Sequence, residues 1–208
     1  MDKMKVAIVI PAFRVKEHIL QVIEKVGPEV SDILVVDDCC PEGSGDFVRN
    51  NCADVRVRVI FNKSNKGVGG ATISGYLEAL KIGSDVIVKV DGDGQMDPAL
   101  IPDLIHPILS GEADYTKGNR FFNLASLKSM PLIRLFGNSV LSFVSKLASG
   151  YWNVMDPTNG FTAIHASVLK VLPLEKIDER YFFESDMLFR LNTVRAVVKE
   201  LPMEASYG

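Results

Sequence analysis

The segment VIVKVDGDGQMDP, residues 86–98, runs from an apolar strand straight into three aspartates within seven residues. Carboxylates this close repel one another and are costly to remove from water unless a positive charge compensates them. Asp91 and Asp93 flank a glycine in a turn that can bring their oxygens to one point, where hard divalent cations bind. Asp97 and Pro98 instead have the order typical of a helix start. The segment predicts a buried strand, a cation site and a helix; the alternative for the first two aspartates is a solvated turn.

Apolar runs and helical patterns alternate on both sides of this segment. Short β-branched runs that indicate strands lie at residues 5–13, 32–38, 55–61 and 113–120. Apolar residues at helical spacing lie at residues 19–26, 67–82 and 101–108. Such alternation is typical of an α/β fold, a Rossmann-like, mostly parallel sheet with helices on both faces. Ligands bind beyond the carboxyl ends of such strands, which here carry Pro11, Asp37, Asp38, Asp91 and Asp93.

The composition is that of a globular chain. The 208 residues are 47% hydrophobic and 24% charged, enough for a sizeable core. A net charge of −3 without a dense basic run argues against nucleic-acid binding. The three cysteines lack metal-ligand spacing, which favours a reduced setting, and no apolar stretch is long enough to span a bilayer. We therefore expect a single domain over residues 1–208, located in the cytoplasm.

Three other ligand-binding motifs do not fit. An EF-hand loop starting at Asp91 would need glycine and glutamate where Met96 and Pro102 stand. The chain has no Gly-Lys-Ser/Thr ending of a P-loop. The glycines of GVGGATISG, residues 67–75, are not in the order of a dinucleotide-binding loop, so we expect a tight turn and close packing there. Backbone N–H groups near Gly67 remain candidates for binding a phosphate.

Six motifs, taken in chain order, resemble those of the family 2 glycosyltransferases, which have the GT-A fold. They are VIPAF (9–13), VVDDCCPEGSGD (35–46), NKGVGGA (65–71), DGDGQMDP (91–98), GNRF (118–121) and DPTNGF (156–161). The last three resemble the forms found in the branch that transfers sugars to polyprenyl phosphates, such as the dolichyl-phosphate mannose synthases. The resemblance implies transfer of a sugar from a nucleoside-diphosphate sugar, with a polyprenyl phosphate as the expected acceptor.

The resemblance also implies a donor site and its cofactor. The substrate-binding residues are Pro11 and Phe13 along the nucleotide, Val36 and Asp38 at base and ribose, Asp91, Gly92 and Asp93 at nucleotide and sugar, and Arg120 at a phosphate or sugar. The residues implied for Mg²⁺ or Mn²⁺ are Asp91, Asp93 and Gln95. Such a cation neutralises charge that develops on the diphosphate as the glycosidic bond breaks. The family expectation is attack from the opposite face of the sugar, with inversion.

Two acids near a helix start are candidates for a catalytic base. Glu184 and Asp186 lie in YFFESDML, where the family can place a general base toward an acceptor hydroxyl. Asp186 is the preferred candidate, and the alternative is that first-turn acids serve the helix dipole. If the acceptor is a lipid phosphate, it is already ionised and needs no strong base. Asp186 would then orient a group or bind a cation.

Several departures from the family pattern leave the donor sugar and the acceptor open. They are Arg14 and Val15 for Asn-Glu, Cys39 and Cys40 for Gly-Ser, Asn159 for serine, and Thr162 and Ala205 for two arginines. One alternative is transfer to a saccharide hydroxyl. A nucleotidyltransferase is a second, although residues 11–18 lack the glycine-rich loop that it needs. An inactive nucleotide-sugar-binding module is a third.

Membrane association is a further expectation from the resemblance. The branch often continues into transmembrane helices, so we expect a natural chain that extends beyond Gly208 and acts at the inner face of a membrane. Residues 132–148 carry an apolar stripe that could lie on a membrane surface, although burial against the sheet is the preferred interpretation. The oligomeric state is left open.

Overall fold

A computed structural model describes residues 4–120 and 146–203. Its strands are β1 (Val6–Ala12), β2 (Asp32–Asp37), β3 (Val57–Phe61), β4 (Val86–Lys89), β5 (Tyr115–Asn119), β6 (Thr162–His165) and β7 (Val198–Pro202). Its helices include α1 (Ile19–Glu24), α2 (Ser44–Asn51), α3 (Gly67–Lys81), α4 (Ile101–Leu109), α5 (Ala166–Leu169) and α6 (Phe183–Thr193). Single turns of 3₁₀ helix cover Pro98–Leu100 and Leu174–Lys176.

The seven described strands form one sheet in the order β3-β2-β1-β4-β6-β5-β7. β1 lies between β2 and β4 and is parallel to both, with Ile10 beside Val35 and Ile8 beside Val88. β6 runs antiparallel to both of its neighbours, whereas β5 and β7 are parallel to each other. β6 is therefore the reversed strand among those described, and the predicted mostly parallel sheet is confirmed.

Side chains of the central strands alternate between two apolar layers, one on each face of the sheet. Ile8 and Ile10 of β1 belong to the layer that α1 and α4 cover. Ala7 and Val9 belong to the layer that α3 and α6 cover. Strands that are apolar at successive positions suit a parallel sheet covered on both sides, so the predicted arrangement of helices is confirmed.

The starts of two helices fix the edge of the sheet where ligands are expected. The Asp97 carboxylate accepts the N–H of Ala99 at 3.2 Å and caps the turn before α4, as predicted. Gly67 begins α3 with a φ of +82°, a left-handed conformation that glycine adopts readily. A Cβ at Gly75 would collide with Val9, so α3 can approach β1 closely only because this residue is glycine. The tight turn and close packing predicted for residues 67–75 are confirmed.

Two predictions concern residues that lie outside those described. One is the apolar stripe at residues 132–148, most of which is not described. The other concerns Ala205, which stands where the family pattern has an arginine. Within residues 4–120 and 146–203, no helix is both long enough and apolar enough to cross a membrane.

Candidate active site

A cavity of about 830 Å³ opens beyond the carboxyl ends of β1, β2 and β4, beside the start of α3. Its volume is within the range of small-molecule sites, roughly 300–1,000 Å³. The predicted substrate residues that line it are Pro11, Phe13, Asp38, Asp91, Gly92 and Asp93. Motifs that are far apart in sequence thus meet at one edge of the sheet, as the strand pattern predicts.

Asp38 lines the cavity, but its carboxylate is already engaged. The residue is 2% exposed, and Oδ1 accepts from Asn62 Nδ2 at 2.8 Å and from the backbone N–H of Lys66 at 2.9 Å. Oδ2 accepts from the N–H of Gly67 at 2.7 Å. The carboxylate therefore serves the N-terminus of α3, where backbone N–H groups without helical partners favour an anion. The amides of Lys66 and Gly67 are therefore occupied by Asp38 and do not face a phosphate.

The adjacent cysteines have different environments. Cys39 is exposed on the cavity wall and has a φ of 53°, at the position where the family motif has glycine. Cys40 Sγ lies 3.2 Å from Ser44 Oγ and accepts the backbone N–H of Arg14 at 3.2 Å. Burial raises the pKa of the Cys40 thiol, but the hydrogen bonds with Ser44 and Arg14 outweigh it and lower the pKa. Cys39 is thus open to the cavity, whereas Cys40 fastens the loop to α2.

Lys89 is a buried cation at the centre of the site, and it is not among the residues predicted from the sequence. It is 1% exposed, and its Nζ donates to Asp91 Oδ1 at 2.8 Å and to Glu184 Oε1 at 3.1 Å. Burial alone would lower the pKa of Lys89, but Asp91 and Glu184 outweigh burial and raise it. A lysine within the otherwise apolar run VIVKV is the sequence feature that could have indicated such a role.

Asp91 and Asp93 face the same cavity, which is the arrangement that a shared cation requires. Asp93 Oδ1 accepts the backbone N–H of Gln95 at 2.9 Å, whereas the Gln95 side chain is exposed and does not line the cavity. Over the described parts of the chain, no cluster of three or more acidic, histidine or cysteine side chains could hold a metal alone. Mg²⁺ is commonly held by one or two carboxylates together with substrate phosphates. The pair therefore fits a cation that is shared with a diphosphate.

Both candidates for a general base are engaged in ion pairs. Glu184 is 9% exposed and is bonded to Lys89. Asp186 Oδ2 accepts the N–H of Asp178 at 2.9 Å, and its Oδ1 accepts from Arg190 Nε at 3.1 Å. Neither acid lines the cavity, because a helix start directs both toward partners within the protein. Both acids thus have partners within the protein, as expected if these first-turn acids stabilise α6 and its surroundings, and the base role stays a prediction.

Val36 and Arg120 do not line the cavity. Val36 is fully buried beside Gly75 in the apolar layer under α3, so its side chain is a core residue rather than a contact for base or ribose. Arg120 Nε and Nη2 bind the two carboxylate oxygens of Asp156 at 2.8 and 2.9 Å. Asp156 is fully buried and needs such compensation, so Arg120 serves first as the partner of this acid.

Lys117 fastens the loop that carries the DPTNGF motif. The lysine is fully buried, and its Nζ donates to the backbone carbonyls of Asp156 at 2.5 Å and Asn159 at 3.1 Å. Burial lowers the pKa of Lys117 to about 8, although nearby Asp156 and Glu200 act in the opposite direction. The loop is therefore held against β5 by an amine whose pKa is lower than that of an exposed lysine.

Arg180 and Tyr181 complete the cavity wall, and neither is among the residues predicted from the sequence. The Arg180 side chain is exposed and forms no hydrogen bond or ion pair with the other described residues. Tyr181 is 94% exposed and the adjacent Phe182 is 60% exposed. The cavity wall thus combines a guanidinium, a group that binds anions, with exposed aromatic surface.

Comparison with known proteins identifies the family. The model of Glycosyl transferase family 2 matches residues 7–172. UDP-N-acetylglucosamine--dolichyl-phosphate N-acetylglucosaminyltransferase of Methanococcus voltae is 32% identical over 220 residues, which cover 99% of this chain and 87% of that protein. Undecaprenyl-phosphate mannosyltransferase of Micrococcus luteus is 31% identical over 204 residues, which cover 96% and 83%.

Solved structures show the same fold. Glucosyl-3-phosphoglycerate synthase from Mycobacterium tuberculosis, in complex with Mn²⁺, uridine diphosphate and phosphoglyceric acid, has a TM-score of 0.76 at 17% identity. The likeness covers 99% of this chain and 71% of that chain. The nucleotidyltransferase alternative is excluded by the family match. The chain belongs to glycosyltransferase family 2, and it is a glycosyltransferase with the GT-A fold.

Proposed function

We propose that the protein transfers a sugar, with inversion, from a nucleoside-diphosphate sugar to a polyprenyl phosphate, and that it requires Mg²⁺ or Mn²⁺. The observation that carries the choice of acceptor is the pairing of Glu184 with Lys89 and of Asp186 with Arg190. A hydroxyl acceptor needs a base that removes its proton, whereas a phosphate monoester is ionised near neutral pH. The names of the two relatives, which specify dolichyl phosphate and undecaprenyl phosphate, agree with this choice.

The donor would occupy the cavity at the strand ends. Pro11 and Phe13 would flank the nucleotide, and Asp91 and Asp93 would hold the cation against the diphosphate. When bound, the cation would neutralise charge on the leaving group. A structural neighbour crystallised with Mn²⁺ and uridine diphosphate supports this use of the fold.

The acceptor would enter beside Arg180. Its guanidinium can bind two phosphate oxygens at once, and it has no competing carboxylate among the described residues. The exposed rings of Tyr181 and Phe182 offer an apolar surface next to this cation. Charge and apolar surface together suit a phosphate that carries a hydrocarbon chain better than a saccharide.

The transfer itself needs little proton chemistry from the chain. An acceptor phosphate oxygen, oriented by Arg180, forms a bond to the anomeric carbon from the face opposite the diphosphate. The bond between that carbon and the diphosphate oxygen breaks, and the nucleoside diphosphate leaves with its electron pair. Attack from the opposite face inverts the anomeric configuration. No general base is required, in agreement with the engaged state of Glu184 and Asp186.

We also propose that residues 1–208 act as one catalytic domain at the cytoplasmic face of a membrane. Strands from both described parts of the chain, 4–120 and 146–203, share one sheet, which supports a single domain. A polyprenyl phosphate acceptor supports the location, because this lipid resides in a membrane.

The donor is tested by thermal-shift measurements with UDP-, GDP- and dTDP-sugars, each with and without Mn²⁺. We expect a rise in melting temperature for one nucleotide that depends on the metal. The variant Asp93→Ala should lose this rise, whereas Asp103→Ala, an exposed acid on α4 outside the donor cavity, should retain it. No rise for any donor with a folded sample would contradict the proposal.

The acceptor is tested by transfer of radiolabelled sugar from the selected donor. We expect product with undecaprenyl or dolichyl phosphate and none with a saccharide offered at the same concentration. Transfer to the saccharide alone would replace the lipid proposal by the hydroxyl alternative. Donor binding without transfer to either would favour an inactive binding module.

A further inference from the structure

One buried amine joins three segments that form the active site. Lys89 belongs to the end of β4, and its Nζ donates to Asp91 just beyond that strand at 2.8 Å. It also donates to Glu184 in the first turn of α6 at 3.1 Å and to the carbonyl of Gly160 at 3.4 Å. The last two contacts span 95 and 71 residues of sequence. The position of Asp91 is therefore tied to both the DPTNGF loop and α6.

The contacts distinguish the two oxygens of Asp91. Oδ1 is the oxygen that binds Lys89. A Cβ added at Gly160 would lie 2.8 Å from Asp91 Oδ2 and would also collide with Lys89 Nζ. The loop backbone thus packs against the carboxylate and the amine at the same point, and there is no room for a side chain there. The rotation of the Asp91 carboxylate is restricted from two sides.

The charges in this cluster make its role testable. One lysine faces two carboxylates, and the side chain of Asp91 is 29% exposed while that of Glu184 is 11% exposed. Asp91 therefore adjoins solvent in the cavity, whereas Glu184 depends on Lys89 for compensation. A lysine near a divalent cation also repels it. If Lys89 acted only through its charge, its removal would strengthen cation binding.

We propose that Lys89 is a positioning residue: it binds Asp91 Oδ1 so that Oδ2 is held ready for the cation that the diphosphate brings. Gly160 is required at its position because the loop backbone must approach this pair. The inference rests on the proposed use of a divalent cation and a nucleoside diphosphate. It adds a role for two residues that are neither predicted metal ligands nor lining residues of the cavity.

The test compares Glu184→Gln with the double variant Lys89→Met/Glu184→Gln. The double variant leaves no unpaired buried charge at residue 184, so we expect it to fold, whereas Lys89→Met alone should melt at a lower temperature. Binding of Mn²⁺ in the presence of UDP, GDP or dTDP is measured by electron paramagnetic resonance, without turnover. We expect the double variant to bind Mn²⁺ about 10- to 100-fold more weakly than Glu184→Gln, as for other residues that orient metal ligands.

Gly160→Ala is a second variant that keeps every charge. It displaces the Lys89 amine and Asp91 Oδ2, so we expect weaker Mn²⁺ binding by a similar factor, about tenfold. Equal or tighter Mn²⁺ binding by the folded double variant, or by Gly160→Ala, would overturn the positioning role. Failure of the wild-type protein to bind Mn²⁺ with UDP, GDP or dTDP would contradict the proposed function itself, so the two failures are distinguishable.

Discussion

Replacement of Asp38 by asparagine tests whether this residue serves the protein backbone or the nucleotide. The resemblance places Asp38 at the base and ribose, whereas the structure gives its carboxylate three donors within the chain. These are Asn62 Nδ2 at 2.8 Å and the backbone N–H groups of Lys66 and Gly67 at 2.9 and 2.7 Å. Hydrogen bonds to a charged acceptor are about 1 kcal/mol stronger than those to a neutral one.

Three such bonds predict a loss of about 3 kcal/mol for Asp38→Asn. For a chain of this length that loss corresponds to a fall in melting temperature of roughly 6–12 °C. The measurement is thermal and urea unfolding without nucleotide, with Asp46→Asn as the matched control. Asp46 pairs with Arg49 on the exposed surface of α2, so its replacement should cost less than about 1 kcal/mol. An Asp38→Asn variant as stable as the control would refute the helix-capping role and return Asp38 to the nucleotide site.

Three further predictions concern the cavity and the loop beside it. Burial lowers the pKa of Lys117 from 10.5 to about 8, so the unfolded state binds more protons between these values. The contribution of this group to the free energy of unfolding should therefore rise by about 3 kcal/mol as pH increases from 8 to 10.5. The measurement is urea unfolding as a function of pH for the wild-type protein and Lys117→Met. The same pH dependence in both proteins would contradict this prediction. Cys39 is exposed in the cavity, so nucleoside diphosphate with Mn²⁺ should slow the reaction of its thiol with a maleimide, as measured by peptide mass spectrometry. An unchanged labelling rate with bound nucleotide would place the nucleotide elsewhere. Arg180→Ala should raise the KM for the lipid phosphate by about tenfold, because a charge-assisted contact is lost. The control variant Lys176→Ala should leave this KM unchanged. Equal KM values for the two variants would remove Arg180 from the acceptor site.

The arrangement of strands and the location of the site follow from local patterns. Apolar runs that end in Pro11, Asp38 and Asp91 indicate strands, and parallel strands bring their carboxyl ends to one edge. The order of the strands inserts a reversed β6 between β4 and β5, which no local pattern specifies. The sequence is therefore sufficient for the fold class and the general position of the cavity.

The electrostatic partners could not be predicted in the same way. Lys89 meets Glu184 across 95 residues, and Arg120 meets Asp156 across 36, so both pairs exist only after distant elements pack. Val36 shows a second limit. Along an apolar strand buried on both faces, no alternation of polarity tells which side chain points to which layer, and Val36 lies in the core. Side-chain roles carried over by position are least secure at such residues.

The most direct test of a donor site built on Asp91 and Asp93 is a crystal soaked with Mn²⁺ and the nucleoside diphosphate selected by thermal shift. We predict an anomalous manganese peak between these carboxylates and the diphosphate, with Lys89 still bonded to Asp91. Nucleotide bound in the cavity with no manganese at that position, or manganese bound elsewhere, would contradict it.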